Sequence, residues 1–527
     1  MTTVLDLLAG SPTLLALGEP THGESAFLQL RNDTLLSLAE HGYRSIAVES
    51  DRAAGLLADE FVQGCTAVTL DRALGEGFSH GWGASPANRD LLLRMREWNA
   101  GRPAPERLTF HGFDAPLEIE GAPSPRRYLL RVCDFLGLDR SAEIDDLVGD
   151  EARWSDSAAI WEPGRSVGES ADAQRLRVLA DDLLTELYLR APGRAEGWPA
   201  AYVWATSAVA VLRYHAAAAA PLAPPERFAR LAAVRDALMA ENLLAIRSVE
   251  AHRGPTLVFA HNTHLQRQRS SMTMGGTEVS WAGAGAIVAA LLGDRYAVVV
   301  GSLGASPALG IAAPDPSTWE GRLGQRNDLP RYVRAAELTV GDRRTHDYRY
   351  FPLDQATVAH ADAVLHVPTG VDASVLAARI LALPGVEQLV ASEENGAPEG
   401  AWGDRFFYVG PDRRQPFATI VEHDVPGFDE ASQLDRPGVF RLNLDLGRAE
   451  FERAFGFPPG EFEAHRHEYD FARLDTLVPH PGYALHGFGS IVMPGPQLLP
   501  EVDRLLAVAH ARAVDRHERA VRRAAQH

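Results

Sequence analysis

Short apolar runs alternate with longer stretches of helical periodicity along the first two thirds of the chain. The runs are Thr13 to Leu17, Arg44 to Val48, Arg107 to Phe110, Pro255 to Ala260, Tyr296 to Val300 and Ala363 to Val367. Each is too short for a stable helix and reads as a buried strand. Strands alternating with helices predict an α/β fold, a mostly parallel sheet covered by helices. Ala171 to Glu250 breaks the alternation. It is rich in Ala, Leu, Arg and Glu, has helical periodicity from Leu176 to Leu184, and is punctuated by prolines near Pro192, Pro199 and Pro221. This predicts a helical insert over about 171–250, lying over the cleft or packed on the sheet away from it. The pattern changes again near Val371. A helix from Ala377 to Leu383, strands at Trp402 to Val409, Phe417 to Val421 and Gly438 to Leu444, and a helix from Leu498 to Ala525 predict a smaller C-terminal α+β domain. The chain thus divides into residues 1–368 and 371–527.

Four of the first six runs end in acid or imidazole. The first ends in Gly18-Glu19-Pro20-Thr21-His22-Gly23, the second in Glu49-Ser50-Asp51, the third in His111-Gly112-Phe113-Asp114 and the fourth in His261-Asn262-Thr263-His264. Parallel strands place their carboxyl ends on one edge of the sheet, where ligands bind in open α/β folds. Thr21 with Glu24 has the spacing of a capping box, so a helix should begin here.

His22 is the best general base, because a neutral imidazole needs little tuning to accept a proton near pH 7. Glu19 and Glu49, on what read as neighbouring strands, are placed to orient it, to raise its pKa or to hold a water. Taken alone, Glu49 reads more readily as an edge carboxylate paired with an arginine, for which Arg31 and Arg52 are available. His261 and His264 could bind a metal, stabilise an oxyanion or protonate a leaving group. Their i, i+3 spacing is not that of a zinc-protease helix, and no third ligand of recognised spacing accompanies them. No metal or cofactor is therefore expected, with a divalent ion as the exception to test. His111 and Asp114 could supply a third metal ligand or form a supporting His–carboxylate pair, and are candidates for substrate binding. His80 and Trp82, in the glycine-rich loop Gly75 to Gly83, are candidates for the pocket wall. No phosphate loop or dinucleotide fingerprint is present.

Composition narrows the partners. The chain of 527 residues carries 51 basic against 70 acidic side chains, a net charge of −19. Nucleic acid and anionic membrane both call for a basic face, so a small-molecule substrate is the expected partner. Lysine is absent, which excludes a Schiff-base lysine. Two distant cysteines, Cys65 and Cys133, and an N-terminus without a signal-peptide pattern predict a cytoplasmic protein.

The motifs at Glu19 to Gly23, Ala47 to Asp51, His111 to Asp114 and Ala260 to Leu265 together resemble the erythromycin esterase family, in order and spacing. The resemblance implies an α/β fold with a helical lid and a hydrolytic site that opens an ester or lactone of a bulky natural product with activated water. His22 resembles the family's general base. Glu19, Glu49 and His261 resemble residues of its cleft, and Arg31 an arginine on the helix that follows the first motif. Where family members carry a glutamate before the next helix, this chain has Pro86-Ala87-Asn88. A lyase or ring-forming enzyme using the same base, or a protein that only sequesters a small molecule, are the alternatives. The C-terminal part resembles a small uncharacterised bacterial domain, through Val439 to Asn443 and Pro479-His480-Pro481-Gly482-Tyr483 among others.

Overall fold

The computed structural model describes residues 4–524 except 9, 119–120, 275, 326–328, 346–348, 412, 414 and 437. The strands of the first part are β1 (Leu14–Glu19), β2 (Ser45–Asp51), β3 (Thr109–Asp114), β4 (Thr256–His261), the hairpin β5 (Ser270–Met274) and β6 (Thr277–Trp281), β7 (Tyr296–Ala305), β8 (Arg331–Arg334) and β9 (Ala363–Thr369). Seven of them form one sheet in the order β3-β2-β4-β1-β7-β9-β8. All neighbours run parallel except β8 against β9. This is the predicted α/β sheet. Helices cover both faces, so β1 and β2 are buried along their whole length, as near-continuous apolar runs require.

The order of strands differs from the simplest reading in one place. β1 and β2 are not neighbours, because β4 inserts between them, pairing Glu19 with His261 and Ser45 with Thr256. His261 therefore sits between the two carboxylates. The chain reverses direction across the sheet here, and such a switch point opens a crevice at the carboxyl edge.

The helical insert is longer than predicted. It begins with Arg126–Leu136, whose Tyr128, Leu129, Val132 and Leu136 are buried, and continues through Ser141–Val148, Ala171–Arg190, Trp198–Ala219 and Pro224–Val249. The earlier helices pack chiefly on one another, in a core that holds Leu129, Leu176, Leu183 and Val211. The last one lies on the sheet, with Met239, Leu243 and Ile246 against Val258 and Val298.

The second part is built on a six-stranded antiparallel sheet of β10 (Val386–Val390), β11 (Arg405–Val409), β12 (Ala418–Val421), β13 (Arg441–Asp445), β14 (Leu477–Pro479) and β15 (Phe488–Val492). Its order is β10-β11-β12-β13-β15-β14, and its core is separate, built around Phe407, Leu442, Ile491 and Leu505. Among the described residues no helix is long and apolar enough to cross a membrane.

Candidate active site

Glu19 ends β1 and is almost wholly buried. Gly18 before it has no room for a side chain: a Cβ there would meet Asn262 Oδ1 at 2.1 Å. Asn262 reaches across β1 to bond both the N–H and the carbonyl of Gly301, at 3.0 and 2.9 Å, and so locks the edges of β4, β1 and β7 together. After Glu19 the chain turns through Pro20 to Gly23, the last with φ +85°, which favours glycine. The helix Ser25–Glu40 then begins. Its N-cap is Glu24, whose carboxylate accepts from the Ala26 N–H, rather than Thr21 as the capping-box spacing suggested.

This turn points the His22 ring back at Glu19, with Nδ1 2.8 Å from Glu19 Oε1. The imidazole remains 46% exposed while the carboxylate is 4% exposed. Burial disfavours charge on His22, but the Glu19 hydrogen bond and the nearby Glu49 carboxylate outweigh it, and its pKa is raised above 6.5. Burial raises the Glu19 pKa, against the lowering effect of His22. Glu19 Oε2 is buried and has no hydrogen-bond partner among the described residues.

Trp82 and His261 flank His22, with ring centroids at 4.9 and 5.1 Å. The loop carrying Trp82 is pinned to the end of β2: Ser79 N–H donates to Ser50 Oγ at 2.9 Å, and Asp51 N–H to Ser79 Oγ at 3.0 Å. His80 in this loop adopts φ +58°, a strained conformation for a residue with a Cβ. It lies 3.3 Å from Asp114 through Nε2 and 5.6 Å from the Trp82 ring.

Behind these rings lies a network of charge. Glu49 Oε2 accepts from the His261 N–H at 2.9 Å, and Oε1 lies 3.2 Å from Arg235 and 3.3 Å from His264 Nε2. Burial opposes its ionisation, but His264, His22 and Arg235 hold its carboxyl well below the ordinary value. Burial would likewise lower His264, yet Asp236, 2.8 Å from Nδ1, and Glu49 push it up to about 10. His264 is thus an imidazolium with both nitrogens engaged. His261 goes the other way. Burial and the His22 charge lower it to about 3, and its Nδ1 accepts from the Thr263 N–H at 3.2 Å. A neutral His261 is a poor proton donor, and a doubly engaged His264 is poorly placed to act on substrate.

Arg235 bridges Glu49 and Asp114, at 3.2 and 2.6 Å. Burial raises the Asp114 pKa, but Arg235 and His80 together bring it below the ordinary value. Arg235 and Asp236 come from the last insert helix, and the sequence reading named neither. The only sign was two charges set among Ala, Val and Leu. His111 is held elsewhere, by Glu250 at 2.9 Å.

A cavity of about 420 Å³ opens beside His22. Glu19, His22, Arg31 and Trp82 line it, but His80, His111, Asp114, Glu49, His261, His264 and the helical insert do not. Arg31 is 2% exposed, stands 5.0 Å over the Phe259 ring, and donates to Asn32 Oδ1 from Nε and Nη2 at 3.1 and 2.8 Å. Burial lowers its pKa to about 10, which leaves it charged at neutral pH. The wall also includes Val371, Asp372, Gly438, Phe440 and Met493. The cleft is therefore not confined to residues before 368, as the sequence division implied. Among the described residues no group of three or more His, Cys, Asp or Glu side chains is arranged to hold a metal ion.

The erythromycin esterase family model matches residues 38–371. The chain belongs to the erythromycin esterase family. A second model, a family of unknown function, matches residues 371–523. Two solved structures are similar in fold. One is a mutant of the erythromycin esterase EreC in its open conformation, with 16% identity and a TM-score of 0.51, covering 70% of this chain and 93% of that one. The other is described as a succinoglycan biosynthesis protein, with 16% identity and a TM-score of 0.51, covering 68% and 88%. No curated protein sequence matches the chain. Family membership supports ester hydrolysis as the class of reaction. The matched stretch begins after Glu19, His22 and Arg31, so the case for those three rests on their geometry.

Proposed function

We propose that the cleft hydrolyses an ester or lactone of a bulky, macrolide-like natural product by direct attack of an activated water. The observation that carries this reading is the His22–Glu19 pair at the mouth of the cavity, one ring nitrogen held at 2.8 Å and the ring itself accessible. An ionised Glu19 accepts the Nδ1 proton and fixes the tautomer, which leaves Nε2 to take a proton from water. As water adds to the carbonyl, its proton passes to Nε2 and negative charge develops on the carbonyl oxygen. Arg31 is the cation of the cavity wall that can stabilise it. When the tetrahedral species collapses, His22 returns the proton to the departing alkoxide. Glu49, Arg235 and His264 act on the site through His261 and the field at His22, not through contact with substrate.

The test is a panel of macrolactones and simple esters incubated with the full chain and followed by mass. A gain of one water supports hydrolysis. Binding without product supports a sequestering protein, and a rearranged product of unchanged mass supports a lyase or cyclase. His22→Ala should lower turnover about 10²–10⁴-fold without unfolding the chain, since the ring lies at an exposed turn. Near-normal turnover in that variant would remove His22 from the mechanism.

A further inference from the structure

Part of the wall of the cavity beside His22 belongs to a different domain. Phe440 and Met493, at the edges of β13 and β15, line it and are 4% and 7% exposed. They are joined by a hydrogen bond from the Met493 N–H to the Phe440 carbonyl at 3.0 Å. Met493 adopts φ +45°, a strained conformation for a residue with a Cβ that persists only where its surroundings impose it. Those surroundings include the first domain. Gln29, on the helix that follows His22, donates through Nε2 to the Met493 carbonyl at 2.9 Å. The same helix presents Leu28, which packs against both cores and also lines the cavity. Leu28, Phe440 and Met493 share the lining with the apolar Phe78, Trp82 and Phe259, and with the polar Asn88 and Asp372.

We propose that the C-terminal domain is a specificity element of the hydrolytic site. Phe440 and Met493 add apolar wall to the cavity, so that it takes esters whose acyl or ring portion is bulky and apolar. This rests on the esterase reading. It assigns to a domain of unknown function the role of half a substrate pocket. Glu19, His22 and Arg31 would receive the ester group, and the apolar side chains of the wall the body of the substrate, the usual division of labour in a small-molecule site.

The experiment uses the full chain and p-nitrophenyl esters from acetate to decanoate. Phe440→Trp fills the cavity and should cut kcat/KM for the long esters at least about tenfold while sparing acetate, the size of effect that pocket contacts produce. Met493→Gly removes the side chain at a position where glycine is unstrained, which offsets part of the packing it loses; the longest esters should gain relative to acetate. Melting temperatures check that both variants fold. Equal changes for every chain length, in both variants, would overturn the proposal. If the wild type cleaves none of the esters, calorimetric titration with decanoate separates the two claims. Binding that Phe440→Trp weakens at least tenfold supports the pocket although the esterase reading fails. Binding that it leaves unchanged, or no binding and no cleavage at all, overturns the pocket.

Discussion

His22 has its pKa raised above 6.5 by groups that are themselves anionic, and this sets how the rate should follow pH. A general base works when neutral. A raised pKa therefore places the acid limb of kcat/KM above 6.5, and activity climbs as pH rises through it. Glu19→Gln removes the charge that most favours imidazolium, so the limb should move to lower pH. The amide can also donate its own N–H to Nδ1, which puts the ring proton on Nε2, the wrong tautomer for a base; kcat should fall by roughly 10²–10⁴. Rate–pH profiles of the two proteins check both statements, and a limb that stays in place would remove Glu19 as the group tuning His22. At this scale the sequence was informative about identity and less so about role. His22, Glu19, Glu49, His261 and His264 all stand at the predicted sheet edge. What could not be read is that two adjacent imidazoles differ in charge. That difference depends on Asp236, 28 positions from His264 in the chain, and on the closeness of His22 to His261.

Two elements decide that difference, the strand β4 and the helix Pro224–Val249. The sequence pattern gave both as elements but neither their neighbours nor their rotation. Parallel strands are joined by long crossovers, so apolar periodicity carries no record of which strands pair, and the insertion of β4 between β1 and β2 was invisible. In the helix, Arg235-Asp236 resembles ordinary surface charge, and only packing turns Asp236 inward to 1% exposure, where it also accepts from Trp281 Nε1 at 2.6 Å and the Ala284 N–H at 2.9 Å. This arrangement predicts a pH dependence of stability. His264 is raised to about 10 in the folded protein and titrates near 6.5 when unfolded. Its contribution is then present in full below about 6.5 and is lost as pH rises through about 10, by up to about 1.4 kcal/mol per unit between. The wild type should be more stable than His264→Gln at pH 6, and the gap should narrow steadily toward pH 10. Denaturant titrations at fixed pH values measure it, and a gap that stays constant would mean that His264 is not charged in the folded state. Asp236→Asn, which leaves a buried imidazole with one carboxylate fewer, should cost about 3–5 kcal/mol near neutral pH, the usual consequence of breaking one side of a buried pair.

At the scale of the whole molecule, a core of the first domain and the core of the second meet beside the turn that carries His22. Composition located the change of domain near 368–371. It could not show that the domains touch, because interface residues such as Leu28, Ala87, Phe440 and Met493 have the same chemistry as core residues. Ala87, on the helix that follows Trp82, is counted in the C-terminal core, and its carbonyl accepts from Asn32 Nδ2 at 2.9 Å. Gln29 bonds Met493, and Arg473 lies 3.4 Å from Glu97. The exposed ion pair contributes little. The apolar contacts and the buried hydrogen bond contribute more, because opening the interface exposes Leu28 and Phe440 and leaves the Met493 carbonyl to be rehydrated. Domains coupled in this way should unfold together. Calorimetry of the full chain should show one transition whose van't Hoff and calorimetric enthalpies agree. The double substitution Leu28→Ala and Gln29→Ala removes coupling without entering the core of either sheet, so it should lower the van't Hoff enthalpy relative to the calorimetric one and broaden or divide the transition. Two well-resolved steps in the wild type would show that the domains are energetically independent. The cavity wall at Phe440 and Met493 would then open while the His22 domain remained folded, and substrate binding should be lost at the first step, before the first domain melts.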